Sequence, residues 1–120
     1  YVPFHQCMCR IPQGDDIHRG KSTFQIEMDE LHTIHRTADA YSLILSDELC
    51  SGTESISAEA LVGALVQTLA ERKTRFLMAT HIHSLKQCVR GNGKNIPPLE
   101  GIRLQAFQAT CDTHSIQYHR

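Results

Sequence analysis

Two adjacent carboxylates, Asp47 and Glu48, close the apolar run Leu43-Ile44-Leu45, and the small polar segment Cys50-Ser51-Gly52-Thr53-Glu54-Ser55 follows at once. An apolar run of that length between polar residues reads as a buried strand, so both carboxylates are delivered at its carboxyl end, where open α/β sheets bind ligands. One carboxylate to hold magnesium and another to activate water is the pairing that nucleotide hydrolysis needs, because its catalysis is mostly positioning and charge stabilisation. Thr80-His81 closes a second apolar run and could offer donors to a phosphoryl group. Gly20-Lys21-Ser22-Thr23 heads a helical pattern whose first backbone N–H groups would face whatever binds there. Taken singly, these are also a solvated loop start, a strand end, a plain N-cap and, at Ser51-Gly52-Thr53, a plain turn. Their order along the chain is the stronger signal.

The elements that must position these groups follow from periodicity. Phe4 to Ile11 alternates loosely and reads as a strand closed by the turn Pro12-Gln13-Gly14. Phe24, Met28, Leu31 and Ile34 fall at helical spacing, which predicts about four turns from Ser22 or Thr23 to Ala38-Asp39. Tyr41 to Asp47 is the strand bearing the carboxylates. Ile56, Ala60, Leu61, Ala64, Leu65, Thr68 and Leu69 define the expected inner face of a second helix running to about Lys73, and Thr74 to Thr80 reads as another buried strand. Strand, helix and strand then make a parallel crossover. After a loop containing Gly91-Asn92-Gly93 and Pro97-Pro98, Ile102 to Thr110 and Ser115 to Tyr118 are expected to form a hairpin across Cys111-Asp112-Thr113.

Bulk properties narrow the class. With 120 residues, 41% of them hydrophobic and 21% charged, the chain fits one globular domain or part of one, and a disordered or low-complexity chain is excluded. A net charge of −1 gives no overall electrostatic case for nucleic acid or membrane, although Lys86 to Lys94 is locally basic. Five cysteines without a C-x-x-C pair, no apolar leader and no long apolar run predict a reduced, intracellular, soluble protein. The alternating His5, Cys7 and Cys9 and the close pairs His32/His35 and His81/His83 invite a metal reading, but a structural zinc site shows two separated ligand pairs at tighter spacings than these. They read as surface or strand-end residues.

With these motifs in hand, the chain resembles the MutS mismatch-repair ATPases of the ABC-type superfamily. Residues 14–28, Gly14-Asp15-Asp16-Ile17-His18-Arg19-Gly20-Lys21-Ser22-Thr23-Phe24-Gln25-Ile26-Glu27-Met28, look like that family's signature loop. Residues 43–48 look like its Walker B strand, 49–55 like its D-loop and 79–85 like its switch-histidine segment, and Tyr1-Val2-Pro3 matches the segment after its Walker A helix. The resemblance implies a partial ABC-type ATPase core over 1–120, of the P-loop NTPase fold: an α/β domain with a mostly parallel sheet flanked by helices and C-terminal antiparallel strands. It implies ATP and Mg2+ as cofactors, with Asp47 holding magnesium through water, Glu48 polarising the attacking water and His81 contacting the γ-phosphate. Gly20 and Ser22 would reach the nucleotide of a second MutS-like subunit, and Ser51 and Thr53 would line the dimer interface. Mismatched double-stranded DNA would be bound through domains that lie outside this sequence. The family's D-loop usually reads Gly-Arg-Gly-Thr, so Cys50-Ser51-Gly52-Thr53 departs from it by a lost arginine. On this reading the Walker A loop precedes Tyr1, and the chain alone is inactive and marginally stable.

Two other readings compete. Gly14 and Gly20-Lys21-Ser22-Thr23 imitate a P-loop, but five residues separate the glycines where that loop has four, and Asp15 and Asp16 would repel the phosphates it cradles. Alternatively the chain is a non-catalytic dimerisation module, against which stands the retention of Asp47, Glu48 and His81 together.

Overall fold

The computed structural model describes residues 3–11, 22–91, 98–105, 108–112 and 115–119. Strand β1 (Gln6–Arg10), helix α1 (Thr23–Thr37), β2 (Ser42–Asp47), α2 (Ser55–Glu71), β3 (Arg75–Ala79), α3 (Leu85–Arg90), β4 (Gln108–Asp112) and β5 (Ser115–His119) follow one another along the chain. β1, β2 and β3 form a parallel sheet in that order, with Met8 beside Ile44 and Ile44 beside Phe76. β4 and β5 form a separate antiparallel pair. The expected α/β architecture, a parallel sheet flanked by helices with antiparallel strands at its C-terminal end, is present.

The core lies on one face of the sheet. Ser42, Ile44 and Ser46 of β2 are buried, and Met8, Phe76 and Met78 of the flanking strands pack with Ile44 against Leu31 and Ile34 of α1, Val62, Leu65, Val66 and Leu69 of α2, and Leu85 and Val89 of α3. The opposite face carries Cys7, Cys9, Leu43, Leu45 and Leu77, and Leu77 is 72% exposed. β3 was expected to be buried, as strands of a parallel sheet covered on both faces are. It is instead alternately exposed and half-buried, because every helix among the described residues packs on the other side.

α1 begins where its sequence places it. The Ser22 hydroxyl accepts the Gln25 N–H at 3.2 Å, satisfying one of the four unpaired donors of the first turn. Of the expected row Leu31 and Ile34 are buried and Met28 packs against the core, whereas Phe24 is 52% exposed and Glu27 turns inward in its place. The turn into β2 is held by Asp39, whose carboxylate accepts from the Ser42 hydroxyl at 2.8 Å and the Tyr41 N–H at 2.9 Å.

α2 is capped by the Glu54 carboxylate, which accepts from the N–H groups of Ile56 and Ser57 and from the Ser57 hydroxyl. Those bonds, that of the Ser57 hydroxyl first, hold the Glu54 carboxyl below the usual range. The expected inner face is corrected here too: Ala58, Val62, Gly63, Leu65, Val66 and Leu69 are buried, whereas Ile56, Ala60 and Ala64 are exposed. With alanine, leucine and valine on every side of this helix, spacing alone leaves its rotation undetermined. At its end Lys73 adopts left-handed backbone, and the Arg72 guanidinium bonds the carbonyls of His35 and Ala38, tying the two helix ends together.

α3 was not anticipated. It rests on α2 at Gly63, where an added Cβ would lie 3.3 Å from the Cys88 sulfur. The strand expected from Ile102 to Thr110 begins only at Gln108, because Leu99 and Ile102 are engaged against the core and the Leu99 N–H bonds the Val89 carbonyl at 2.8 Å. Cys111 and Asp112, placed in the connection by sequence, pair with Ile116 and Ser115 as part of the ladder.

Candidate functional site

The site forms where β2 and β3 end. Their parallel register sets Asp47 beside Ala79, so Glu48 and Thr80-His81 leave the sheet at neighbouring points. The Glu48 N–H then donates to the Ala79 carbonyl at 3.0 Å, extending the pairing one residue past the strands. Asp47, Glu48, Thr80 and His81 are all exposed at this end. Past β3 the chain is turned by the Ile82 N–H, which donates to the Thr80 hydroxyl at 3.1 Å.

Glu48 has φ of +49° and Cys50 of +59°, left-handed values that cost a residue with a side chain about 1 kcal/mol or more. Such backbone persists only where its surroundings enforce it. Here the Ala79 carbonyl fixes one side of the turn, and Leu49 and Cys50, both buried in the core, fix the other. The backbone that carries Glu48 is thus fixed at the sheet end. Burial, followed by the nearby Glu27 carboxylate, pushes the Cys50 thiol up to about 11.

The loop after this turn docks on α1. Glu27, 2% exposed, accepts from the Gly52 N–H at 2.8 Å and from the Thr53 hydroxyl at 2.5 Å. A Cβ on Gly52 would stand 2.7 Å from Thr23 Cγ2, closer than Cβ atoms come in practice, so a side chain here would force Thr23 or the loop to shift. Ser22 and Ser51 remain exposed, while the Thr53 hydroxyl is directed inward to Glu27.

The structure therefore brings Asp47, Glu48 and the Thr80-His81 segment to one sheet end, and joins the Ser51 to Thr53 loop to the start of α1 beside Ser22. Gly20, with Gly14 and Lys21 of the P-loop alternative, lies outside the described residues. Sequence reasoning missed Glu27. The available signal was its place four residues before Leu31 and seven before Ile34, on the row that turns inward.

The donor set suits a magnesium–nucleotide better than a resident metal. Carboxylate and hydroxyl oxygens are the ligands Mg2+ prefers, and it is commonly held by one or two carboxylates together with phosphates. Among the described residues no group of three or more His, Cys, Asp or Glu side chains converges to hold an ion unaided.

Residues 2–115 match the family described as MutS domain V. The mitochondrial DNA mismatch repair protein mutS homolog of Sarcophyton glaucum is 42% identical over 83 residues, covering 69% of this chain and 8% of that protein. The DNA mismatch repair protein MutS of Thermus thermophilus is 39% identical over 87 residues, 72% of this chain and 11% of its own length. The Gallus gallus DNA mismatch repair protein Msh6 is 38% identical over 92 residues, 76% of this chain and 7% of its own. The chain thus spans about a tenth of the length of these relatives, and the matched stretch carries the carboxylate turn, the docked loop and the strand end just described. By the extent of the family match and the level of identity, this chain belongs to the MutS family of DNA mismatch-repair proteins, within its domain V.

Proposed function

We propose that this domain V supplies part of a composite ATPase site that couples nucleotide state to the holding of mismatched DNA. The observation that carries this reading is the shared end of β2 and β3, where strand register and the Glu48–Ala79 bond set two carboxylates beside Thr80-His81. Asp47 would hold Mg2+ through water. Glu48, its backbone fixed, would orient the attacking water and accept its proton, and His81 would donate to the γ-phosphate. Bound magnesium would neutralise charge on the phosphate oxygens.

Ser22 and the first turn of α1 would face the nucleotide of a second MutS-like subunit. The Ser22 hydroxyl accepts from Gln25, and its own O–H would donate to a phosphate oxygen. Gly20 would extend that contact, and Ser51 would stand at the subunit interface. Residues 1–120 lack a consensus phosphate-cradling loop, so the loop and lysine would come from another part of the protein, and the chain alone would turn over no ATP. DNA would likewise be bound through other domains. No helix among the described residues is long and apolar enough to cross a membrane.

Glu48→Gln in the full-length protein carrying this chain tests the assignment. Turnover should fall about 10²-fold to 10⁴-fold, with Mg-ATP binding retained, because the amide keeps the shape but cannot take the proton. Turnover equal to that of the unaltered protein would favour the non-catalytic dimerisation module.

A further inference from the structure

Glu27 is the one charged side chain that the fold buries among the described residues, and the hydrolytic site above does not use it. A buried carboxylate is costly unless hydrogen-bonded, and leucine, as at Leu31 one turn later, would serve the core better. Among the described residues its hydrogen bonds come from neutral groups, the Gly52 N–H at 2.8 Å and the Thr53 hydroxyl at 2.5 Å, both on the loop after β2. Gly52 gives an independent sign of the same contact, because its Cα lies so close to Thr23 that a methyl group there would overlap Thr23 Cγ2. Directly before this loop stand the left-handed residues Glu48 and Cys50. A short, constrained path thus runs from the start of α1 through Glu27 and Gly52 to Glu48.

We infer that Glu27 is a positioning residue that locks the Gly52-Thr53 loop to the first turns of α1, so that movement of the α1 N-terminus is carried to the backbone holding Glu48. The use of this lock rests on the function proposed above, in which α1 faces the nucleotide of one site and Glu48 serves the other. A second subunit would meet helix and loop as one rigid surface, and nucleotide contact at Ser22 would register at the catalytic turn of the neighbouring site. The lock itself needs neither nucleotide nor partner.

Amide hydrogen exchange of the 120-residue chain, read by NMR at Gly52 against the core amides of Val62 and Leu69, tests it. Glu27→Ala should speed Gly52 exchange at least about tenfold relative to those amides. Glu27→Gln should bring it back to within about threefold of the unaltered chain, since the amide oxygen still accepts from Gly52 and its NH2 can donate to Thr53. Gly52 exchange that stays unchanged in Glu27→Ala, or rises only in step with Val62 and Leu69, would overturn the lock. Should Glu27→Ala not fold, Thr53→Val removes the hydroxyl donor alone. It should shift the Thr23 to Glu27 amide resonances, and an undisturbed α1 would again overturn the proposal. Loss of the lock would leave the ATPase reading standing, whereas an intact lock with an inert Glu48→Gln substitution would remove the ATPase reading and, with it, the use of the lock but not the lock itself.

Discussion

At Cys50 a residue with a side chain occupies left-handed backbone, a departure from where such residues ordinarily lie. The departure is tolerated because the side chain is 4% exposed and contributes to the core, which offsets part of the backbone cost. The same burial sets a pH dependence. The folded thiol ionises near 11, and an unfolded one at about 8.5, so below the lower value both states hold the proton and stability is flat. Between the two values the unfolded chain releases a proton that the folded chain keeps, and stability falls by about 2–3 kcal/mol. Urea midpoints measured under reducing conditions from pH 8 upward should show this decline, and Cys50→Gly should flatten it. An equal slope in both proteins would mean that other groups carry the effect.

Among the elements, the loop docked on α1 is the most tightly specified, and Gly52→Ala probes it. Thr23 is β-branched and has few rotamers open to it, so either its methyl group must turn away or the loop must move. A loss of about 1–3 kcal/mol in unfolding free energy is expected, measured by denaturant titration. Stability within about 0.3 kcal/mol of the original would show that the loop has room to yield. Much of this architecture is legible in the chain. The run Leu43 to Leu45 with its two carboxylates placed β2 and the site at its end, and Ser22 followed by helical spacing placed the start of α1. What escaped depends on partners distant in sequence. Glu27 reads as a solvent charge until the loop that bonds it is in place, and the rotation of α2 is set by α3 and the sheet. Ile102 fits a strand by composition, yet contact with the core removes it from one. For the site, residue identities were legible, whereas the left-handed turn that carries Glu48 was not, since nothing in glutamate or cysteine signals positive φ.

Over the whole molecule, the sheet has one covered and one open face. Leu77, at 72% exposed, stands with Leu43 and Leu45 on a surface that apolar contact would cover favourably. The isolated chain is therefore expected to self-associate as its concentration rises, and Leu77→Lys should suppress this in sedimentation velocity while changing unfolding free energy by less than about 0.5 kcal/mol. Association undiminished by the lysine would place the contact elsewhere. The parallel register also bears on time. Its rungs join Gln6 to Ser42 and Leu43 to Arg75, so each encloses a whole helix and none can begin from a tight hairpin. Closing such loops costs entropy before any pairing returns it, which slows folding relative to pairing between near neighbours. The helices must be present to bring the strands together, and the sheet end that carries Asp47 and Glu48 is expected to assemble late in folding.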